Sequence, residues 1–251
     1  MKVSIVTTVF NRKDSIERAL ESVHSQSYEN IEHIIIDGLS NDGTKEIISN
    51  FIKDKNNIIF KSEKDNGIYD AINKGISLAK GEIIGLMHSD DFYFNNNVVS
   101  EIAESFINND IDAVYADAVY FNKSDPSKII RRYKSKKFNK NKLAWGLMPA
   151  HTTLYLRNNV FKTHGKYKIN YNIASDFEFV ARIFNSDNFK SKYIEKPWVK
   201  MQSGGASTSG VKSNLTINRE VMRACKENNI YTNRFMIYTK YLSKLLEFII
   251  K

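Results

Sequence analysis

The chain has 251 residues, a single cysteine and a net charge of +9. That length fits one large domain, or one domain with an appendage, and a core of this size needs no disulfide or metal to hold it. With Cys225 alone an internal disulfide is excluded, a reducing, cytosolic compartment fits, and no stretch approaches the roughly 20 apolar residues of a membrane-spanning helix. From the start of the chain, Val3 to Val9 is strand-like; the run ending at Phe10 is too short and too polar for a signal peptide. Phe10-Asn11-Arg12 follows as a loop. Asp14 or Ser15 then caps a helix from Ile16 to about Ser25, with Ile16, Ala19, Leu20 and Val23 on one face. Ile31 to Ile36 reads as a second strand ending in Asp37-Gly38, and the turn Ser40 to Thr44 leads into a helix through Ile47, Ile48 and Phe51. Asn57 to Lys61 is a third strand, Asp65-Asn66-Gly67 a turn, and Ile68 to Ala79 a helix closed by Gly81.

The fourth strand, Ile83 to Met87, is apolar and ends at His88-Ser89-Asp90-Asp91. A buried strand does not hold two uncompensated carboxylates, so the pair belongs where the strand emerges. Strand alternating with helix predicts an α/β, doubly wound, mostly parallel sheet, whose ligands bind outside the carboxyl ends of the strands. Asp37, the Ser62–Asp65 segment and Asp90 all fall on that edge. Two hard oxygen donors there suit Mg²⁺ or Mn²⁺ and, through the metal, a diphosphate; taken alone, the same pair reads equally as a helix cap.

Beyond Asp91 the rhythm changes. Val98 to Asn108 has helical spacing, Ala113 to Phe121 is strand-like with Asp117 inside it, and Ile129 to Tyr133 fits a hairpin partner. Thr152–Leu156 reads as a strand, Asp176 to Phe184 as a helix, Trp198 to Met201 as an edge strand, and Leu215 to Lys251 as helix throughout. Charge is uneven: Ser127 to Lys142 holds eight basic residues and no acid, and Val211 to Lys251 holds eight basic residues against three acids. Such patches attract phosphates, nucleic acid or an anionic membrane face, or are simply solvated surface.

Three stretches together carry a resemblance: Val3-Ser4-Ile5-Val6-Thr7-Thr8-Val9-Phe10-Asn11-Arg12, Asp37-Gly38-Leu39-Ser40-Asn41-Asp42-Gly43-Thr44, and Ser89-Asp90-Asp91. They resemble a family 2 inverting glycosyltransferase, whose fold is GT-A. Asp65-Asn66-Gly67-Ile68-Tyr69-Asp70-Ala71-Ile72-Asn73-Lys74-Gly75 is similar to the subgroup that assembles bacterial O-antigen and other surface polysaccharides. His151, Ser175-Asp176-Phe177-Glu178, Arg182 and Gly204-Gly205-Ala206-Ser207 follow in the family's order, so the resemblance spans about the first 210 residues. It implies a donor-binding half over 1–95 and an acceptor and catalytic-base half of the same domain over 96–210; the tail over 211–251, outside the resemblance, reads from its own residues as a basic amphipathic helix.

The resemblance also implies roles. Asp37 accepts from the uracil ring N–H, while Phe10 stacks on that ring or packs in the core. Thr7, Asn11 and Arg12 offer polar contacts at the same edge. Asp65, Asn66, Gly67, Asn73 and Lys74 bring groups for ribose and phosphate, and the same helix shows an ordinary amphipathic stripe. Asp91, with Asp90, holds a divalent ion, Mn²⁺ or Mg²⁺, and Ser89 lies beside them at the donor. The family often carries a further acid two residues before Asp90; here that position is His88, a tolerable Mn²⁺ ligand and a poor Mg²⁺ one. Asp176 is the implied catalytic base, with Glu178 the runner-up and a helix cap the structural alternative. His151 shapes the acceptor site, Gly204, Gly205 and Ser207 form a loop over the diphosphate, and Trp145 and Trp198 offer faces to a sugar or to the core.

The implied reaction moves a hexose, glucose or galactose favoured, from a UDP-sugar to an undecaprenyl-diphosphate type acceptor with inversion to a β-linkage. The implied location is cytoplasmic, peripheral at the inner face of the bacterial membrane, with residues 233–251 as an interfacial helix. A helix docked on the body, or on a second subunit in a homodimer, explains the same tail. Two other classes remain open: a sugar nucleotidyltransferase, although Phe10-Asn11-Arg12-Lys13 lacks the Gly-rich loop it needs, and a nucleic-acid binder. The basic patches carry no recognisable nucleic-acid motif, which argues for no nucleic-acid partner.

Overall fold

The structure, a computed structural model, describes residues 1–107, 109–204 and 211–239. Among them nine strands form one sheet: β1 (Val3–Val9), β2 (Ile31–Asp37), β3 (Ile58–Ser62), β4 (Ile83–Leu86), β5 (Phe92–Tyr93), β6 (Ala113–Asn122), β7 (Asp125–Tyr133), β8 (Tyr155–Arg157) and β9 (Ser191–Gln202). The order is β3-β2-β1-β4-β8-β6-β9-β5, with β7 paired to β6 off that path. The first four are parallel, as the strand–helix alternation predicts, and β1 and β2 are buried along their whole length. That burial is why they read as continuous β-branched runs. Farther on the sheet is mixed: β8 runs antiparallel to both β4 and β6, whereas β9 runs parallel to β6.

Register places the site. Val9 pairs with Asp37, Asp37 with Ser62, and Val6 with Leu86. Phe10, Asp37, Ser62 and the 88–91 turn therefore leave the sheet on one edge. Helices α1 (Ile16–His24), α2 (Thr44–Ile52), α3 (Ile68–Leu78) and α4 (Val98–Ile107) connect the strands. α1 buries the predicted stripe of Ile16, Ala19, Leu20 and Val23. Gly85 is a packing requirement: a Cβ there would lie 2.0 Å from the Tyr155 ring of β8, so β4 can carry no side chain at that point.

Three expectations are corrected. Trp198–Met201 is the end of a twelve-residue strand, β9, which lies inside the sheet between β6 and β5. Trp198 is fully buried, with Nε1 donating to Glu101 at 3.0 Å, so its face is core and is not offered to a sugar. Residues 151–156 are not one strand but a 3₁₀ turn, His151–Thr153, ahead of the short β8; an unforeseen helix, α5 (Asn158–His164), follows. The C-terminal region is not helical throughout. α7 (Val211–Glu227) stops, Asn229 takes φ 56°, and a second short helix runs over 234–239. Asn tolerates that left-handed conformation better than other non-glycine residues. Residues 240–251 of the expected interfacial helix lie outside the described residues. Val221, Ala224 and Cys225 of α7 are buried in the same core as α6 (Ser175–Phe184).

Candidate active site

At the β1 end of the edge, Phe10 is 57% exposed, which removes it from the core. Asn11 behind it has φ 51°, and it bridges two loops: its N–H donates to Ser40 Oγ and its Oδ1 accepts from the Asn41 N–H at 3.0 Å. Asp37 is fully buried; its carboxylate accepts from the Ser40 N–H and, at 2.7 Å, from Ser62 Oγ. A carboxylate has about four lone-pair sites, so acceptor capacity remains. Gly38 keeps this corner open. A Cβ there would stand 2.4 Å from Asp65 Oδ2 and 3.5 Å from the Phe10 ring. An exposed aromatic face and the Asp65 carboxylate thus crowd this glycine, whose neighbour Asp37 is buried.

The acidic corner follows β4. Asp91 is 5% exposed and Ser89 is buried. Asp91 Oδ1 accepts the N–H of Gln202 at 3.0 Å, which ties the turn to the end of β9. Burial, then the adjacent Asp90 charge, push the Asp91 carboxyl well above the usual carboxylate range; the Gln202 N–H and Arg18 offset only part of this. Arg18 reaches in from α1, its guanidinium 4.7 Å from the centre of the Phe92 ring and 4.9 Å from that of Phe121. Its Nε–H is buried with no hydrogen-bond partner among the described residues. Two carboxylates held together with so little compensation fit a divalent cation. Among the described residues no group of three or more His, Cys, Asp or Glu gathers to hold one, so further ligands would come from substrate and water.

Asp176 sits in the first turn of α6 with Oδ1 accepting the Phe177 N–H at 2.7 Å. Burial above all pushes its carboxyl from 3.8 up to about 6. A row of rings joins the two carboxylate ends. The His88 and His151 centroids are 6.0 Å apart, His151 Nε2 lies 3.0 Å from the Tyr167 hydroxyl, and the Tyr167 ring stacks on Tyr69 at 6.1 Å. The Tyr69 hydroxyl donates to the Ile173 carbonyl just before α6. Burial pushes His151 down to about 3, and burial outweighs Asp90 in lowering His88. Both imidazoles are therefore neutral at pH 7, and His88 brings no negative charge to the place where the family often has an acid.

Residues 4–165 match the family described as Glycosyl transferase family 2. The chain belongs to glycosyl transferase family 2. An uncharacterized glycosyltransferase of Mycobacterium tuberculosis is 38% identical over 104 residues, 41% of this chain and 39% of that one, so the match spans well under half of the relative's length. A PGL/p-HBAD biosynthesis glycosyltransferase of Mycobacterium bovis is 25% identical over 76% of this chain and 73% of its own. The UDP-Glc:alpha-D-GlcNAc-diphosphoundecaprenol beta-1,3-glucosyltransferase WfaP of Escherichia coli is 40% identical over 100 residues, 40% of this chain and 39% of its own. Among solved structures, S. aureus TarS 1-349 in complex with UDP-GlcNAc aligns at a TM-score of 0.71 and 17% identity, over 89% of this chain and 66% of that one. The mannosyltransferase PcManGT from Pyrobaculum calidifontis, in complex with GDP-Man and Mn²⁺, aligns at 0.66 and 16%, over 90% and 63%. These likenesses establish the GT-A fold.

Within this family 2 glycosyltransferase the sheet edge carries Phe10, Asp37, Asp65, Ser89, Asp90 and Asp91, and the row of rings leads from His88 through His151 and Tyr167 to Tyr69, beside Asp176. Other candidates are engaged elsewhere. Thr7 is buried inside β1, its Oγ1 2.9 Å from His33 Nε2. Arg12 is exposed, with its backbone N–H on Thr44 Oγ1. Asn66 and the left-handed Gly67 (φ 109°) form the cap of α3, held by Asp70 and Asp65. Asn73 pairs both ends of its amide with the Tyr167 backbone, at 2.7 and 3.0 Å. Lys74 is held by the Lys64 carbonyl, Glu63 and Asp70. The 65–75 motif thus also acts as a brace: through Tyr69 and Asn73 it is tied to the 167–173 segment ahead of α6.

Glu178 is corrected outright. It is completely buried and paired with Lys168 and Arg182, each at 2.9 Å. Burial raises its carboxyl, but these cations outweigh burial and hold it low. Those pairs engage it as an internal brace of α6. Gly204 ends the described segment with φ 98°, while Gly205 and Ser207 lie outside the described residues. Arg18, Tyr69, Tyr167 and Glu220 escaped the sequence reading. Tyr69 lay inside a quoted motif, but nothing in the residue order shows Arg18 beneath the acidic corner.

Proposed function

We propose that this chain is an inverting hexosyltransferase that uses a UDP-sugar and acts on a lipid-diphosphate-linked sugar, forming a β-linkage during surface polysaccharide assembly. The observation that carries this reading is Asp176, a carboxyl raised to about 6 by burial above all and linked through Tyr69, Tyr167 and His151 to His88 beside the acidic pair. Support for the donor comes from the Phe10–Gly38–Asp65 corner and from TarS, solved with UDP-GlcNAc. Support for the acceptor comes from the name of WfaP, which specifies a diphosphoundecaprenol-linked GlcNAc.

Phe10 stacks on the uracil ring, and Asp37 accepts its ring N–H. Asp91 with Asp90 would hold a Mn²⁺ or Mg²⁺, which would supply positive charge to offset that of the departing diphosphate. Asp176, ionised, accepts the proton of the acceptor hydroxyl; that oxygen bonds to the anomeric carbon from the side opposite the diphosphate. The carbon–oxygen bond to the diphosphate breaks, UDP leaves with the bonding pair, and the α-linked donor becomes a β-linked product. His88 and His151, neutral, line the path between the two carboxylate ends without repelling a diphosphate.

The test is a donor screen: UDP-glucose, UDP-galactose and UDP-GlcNAc, each with Mn²⁺, against lipid-diphosphate GlcNAc and GalNAc, with products read by mass and anomeric configuration. Transfer with retention, or none from any UDP-sugar, sinks the proposal. Within it, Phe10→Ala is expected to weaken UDP binding about tenfold by calorimetry, since stacking a base on an aromatic ring is worth about 1–3 kcal/mol, and Phe10→Tyr to restore it.

The membrane assignment rests on Tyr231 and Phe235, 80% and 74% exposed on either side of Arg234. Among the described residues no helix is long and apolar enough to cross a membrane. Aromatic and basic groups in that mixture suit an anionic interface. Co-sedimentation with phosphatidylglycerol vesicles is expected to fall about tenfold or more in Tyr231→Ser/Phe235→Ser, because burying each such ring contributes on the order of 1.5 kcal/mol or more. Unchanged binding removes the assignment.

A further inference from the structure

α7 lies beyond the matched residues 4–165, yet it grips the loop that presents Asp176. The Glu220 carboxylate, 7% exposed, receives three successive backbone N–H groups: Asn172 at 2.6 Å on Oε1, then Ile173 at 2.9 Å and Ala174 at 2.8 Å on Oε2. Ala174 is the cap position of α6, two residues before Asp176. The Ile173 peptide is therefore held from both sides, its N–H by Glu220 of α7 and its carbonyl by Tyr69 of α3. The rest of α7 reinforces the grip. Arg223 donates to the Asn170 carbonyl and lies 3.6 Å from the Tyr171 ring centre, and Glu227 accepts from the Tyr171 hydroxyl and Lys168.

We infer that Glu220 is a positioning residue of the transfer reaction: from α7 it fixes the 172–174 turn and so the place of Asp176 in the crevice. This rests on the reading of Asp176 as the base. A neutral cap would satisfy the same N–H groups; a carboxylate binds them more strongly and also sets the field at the base. The groups facing Asp176 are the Tyr69 hydroxyl from α3, the Tyr167 hydroxyl from the loop after α5, and Glu220 from α7. Glu178, on Asp176's own helix, is turned toward Lys168 and Arg182. The Glu220 charge adds to burial in raising Asp176.

The experiment compares Glu220→Gln, Glu220→Asp and Asp176→Asn in the full chain, with UDP-glucose and a lipid-diphosphate GlcNAc acceptor. Turnover is followed from pH 4.5 to 8 and UDP binding by calorimetry. Glu220→Gln, nearly isosteric, is expected to lower plateau kcat about tenfold or more, since small misplacements of a reacting group are costly. Its acid limb moves to lower pH, because a negative charge near the base is gone, and UDP affinity stays unchanged. Glu220→Asp keeps the charge and shortens the reach, so kcat falls while the limb stays in place. That variant also reads the inference should Glu220→Gln not fold. A wild-type plateau in Glu220→Gln, or a lowered plateau with an unmoved limb, overturns the inference. Undiminished turnover in Asp176→Asn instead overturns the base assignment beneath it.

Discussion

Asp176→Asn is expected to abolish sugar transfer and, at the same time, to raise the melting temperature. Removing a general base costs about 10² to 10⁴ in rate. UDP affinity should be unaffected, since Asp176 is on α6 and the nucleobase is proposed to bind at Phe10 and Asp37. The stability effect follows from the raised carboxyl, 3.8 in the unfolded chain and about 6 in place. A group whose folded pKa is raised contributes stability that is complete below its unfolded value. That contribution is lost as pH rises through the folded value. Two units correspond to about 3 kcal/mol as an upper figure, and residual exposure of the side chain reduces it. The variant should therefore melt close to wild type near pH 4 and several degrees above it at pH 7, with the gap opening between about 4 and 6. The competing view, that Asp176 merely caps α6, reverses the sign: losing a first-turn negative charge costs roughly 0.3–1 kcal/mol at neutral pH. Calorimetry of wild type and variant at pH 4 and 7 decides between a strained base and a relaxed cap.

The two kinds of residue differ in how legible they were. Asp37 and Asp90-Asp91 were readable because each ends an unbroken apolar run. A carboxylate at such a point has only the sheet edge to go to. β9 was cut short in the reading because Glu195, Lys196 and Pro197 interrupt its pattern. In the structure the register shifts on both sides of Asp117, opposite Pro197, and that irregularity accommodates a residue with no N–H. Asn73 and Lys74 show the opposite error. Their spacing placed them correctly on α3, but spacing does not say that Tyr167, 94 residues away, takes the Asn73 amide. Glu220 fails for the same reason at separations of 46 to 48 residues. Short-range patterns reveal which edge a strand or helix presents; they do not reveal which distant backbone a polar side chain will satisfy. In the structure several residues of the 65–75 motif have distant protein partners that spacing does not show.

Asp91→Ala is the second large effect, expected to remove transfer by about a thousandfold and to remove the protein's response to Mn²⁺. Among the described residues the Asp91 carboxylate accepts a hydrogen bond at one oxygen, from the Gln202 N–H, and its neighbour Asp90 repels it. A cation relieves that repulsion, so Mn²⁺ with UDP should stabilise the wild-type fold by mass action, by about 2.7 kcal/mol at a hundred times the dissociation constant. For a chain of this size that is a rise of several degrees in Tm. In Asp91→Ala the rise is expected to vanish with Mn²⁺ and UDP together, while UDP alone still binds through Phe10 and Asp37. Arg18 supplies the contrast. Its guanidinium sits against Phe92 and Phe121 at the base of the same corner, so Arg18→Met should leave the Mn²⁺ response in place but weaken the folded state through lost packing. If Asp91→Ala keeps the full Mn²⁺-dependent rise, the acidic corner is not the metal end of the site, and the pair is structural after all.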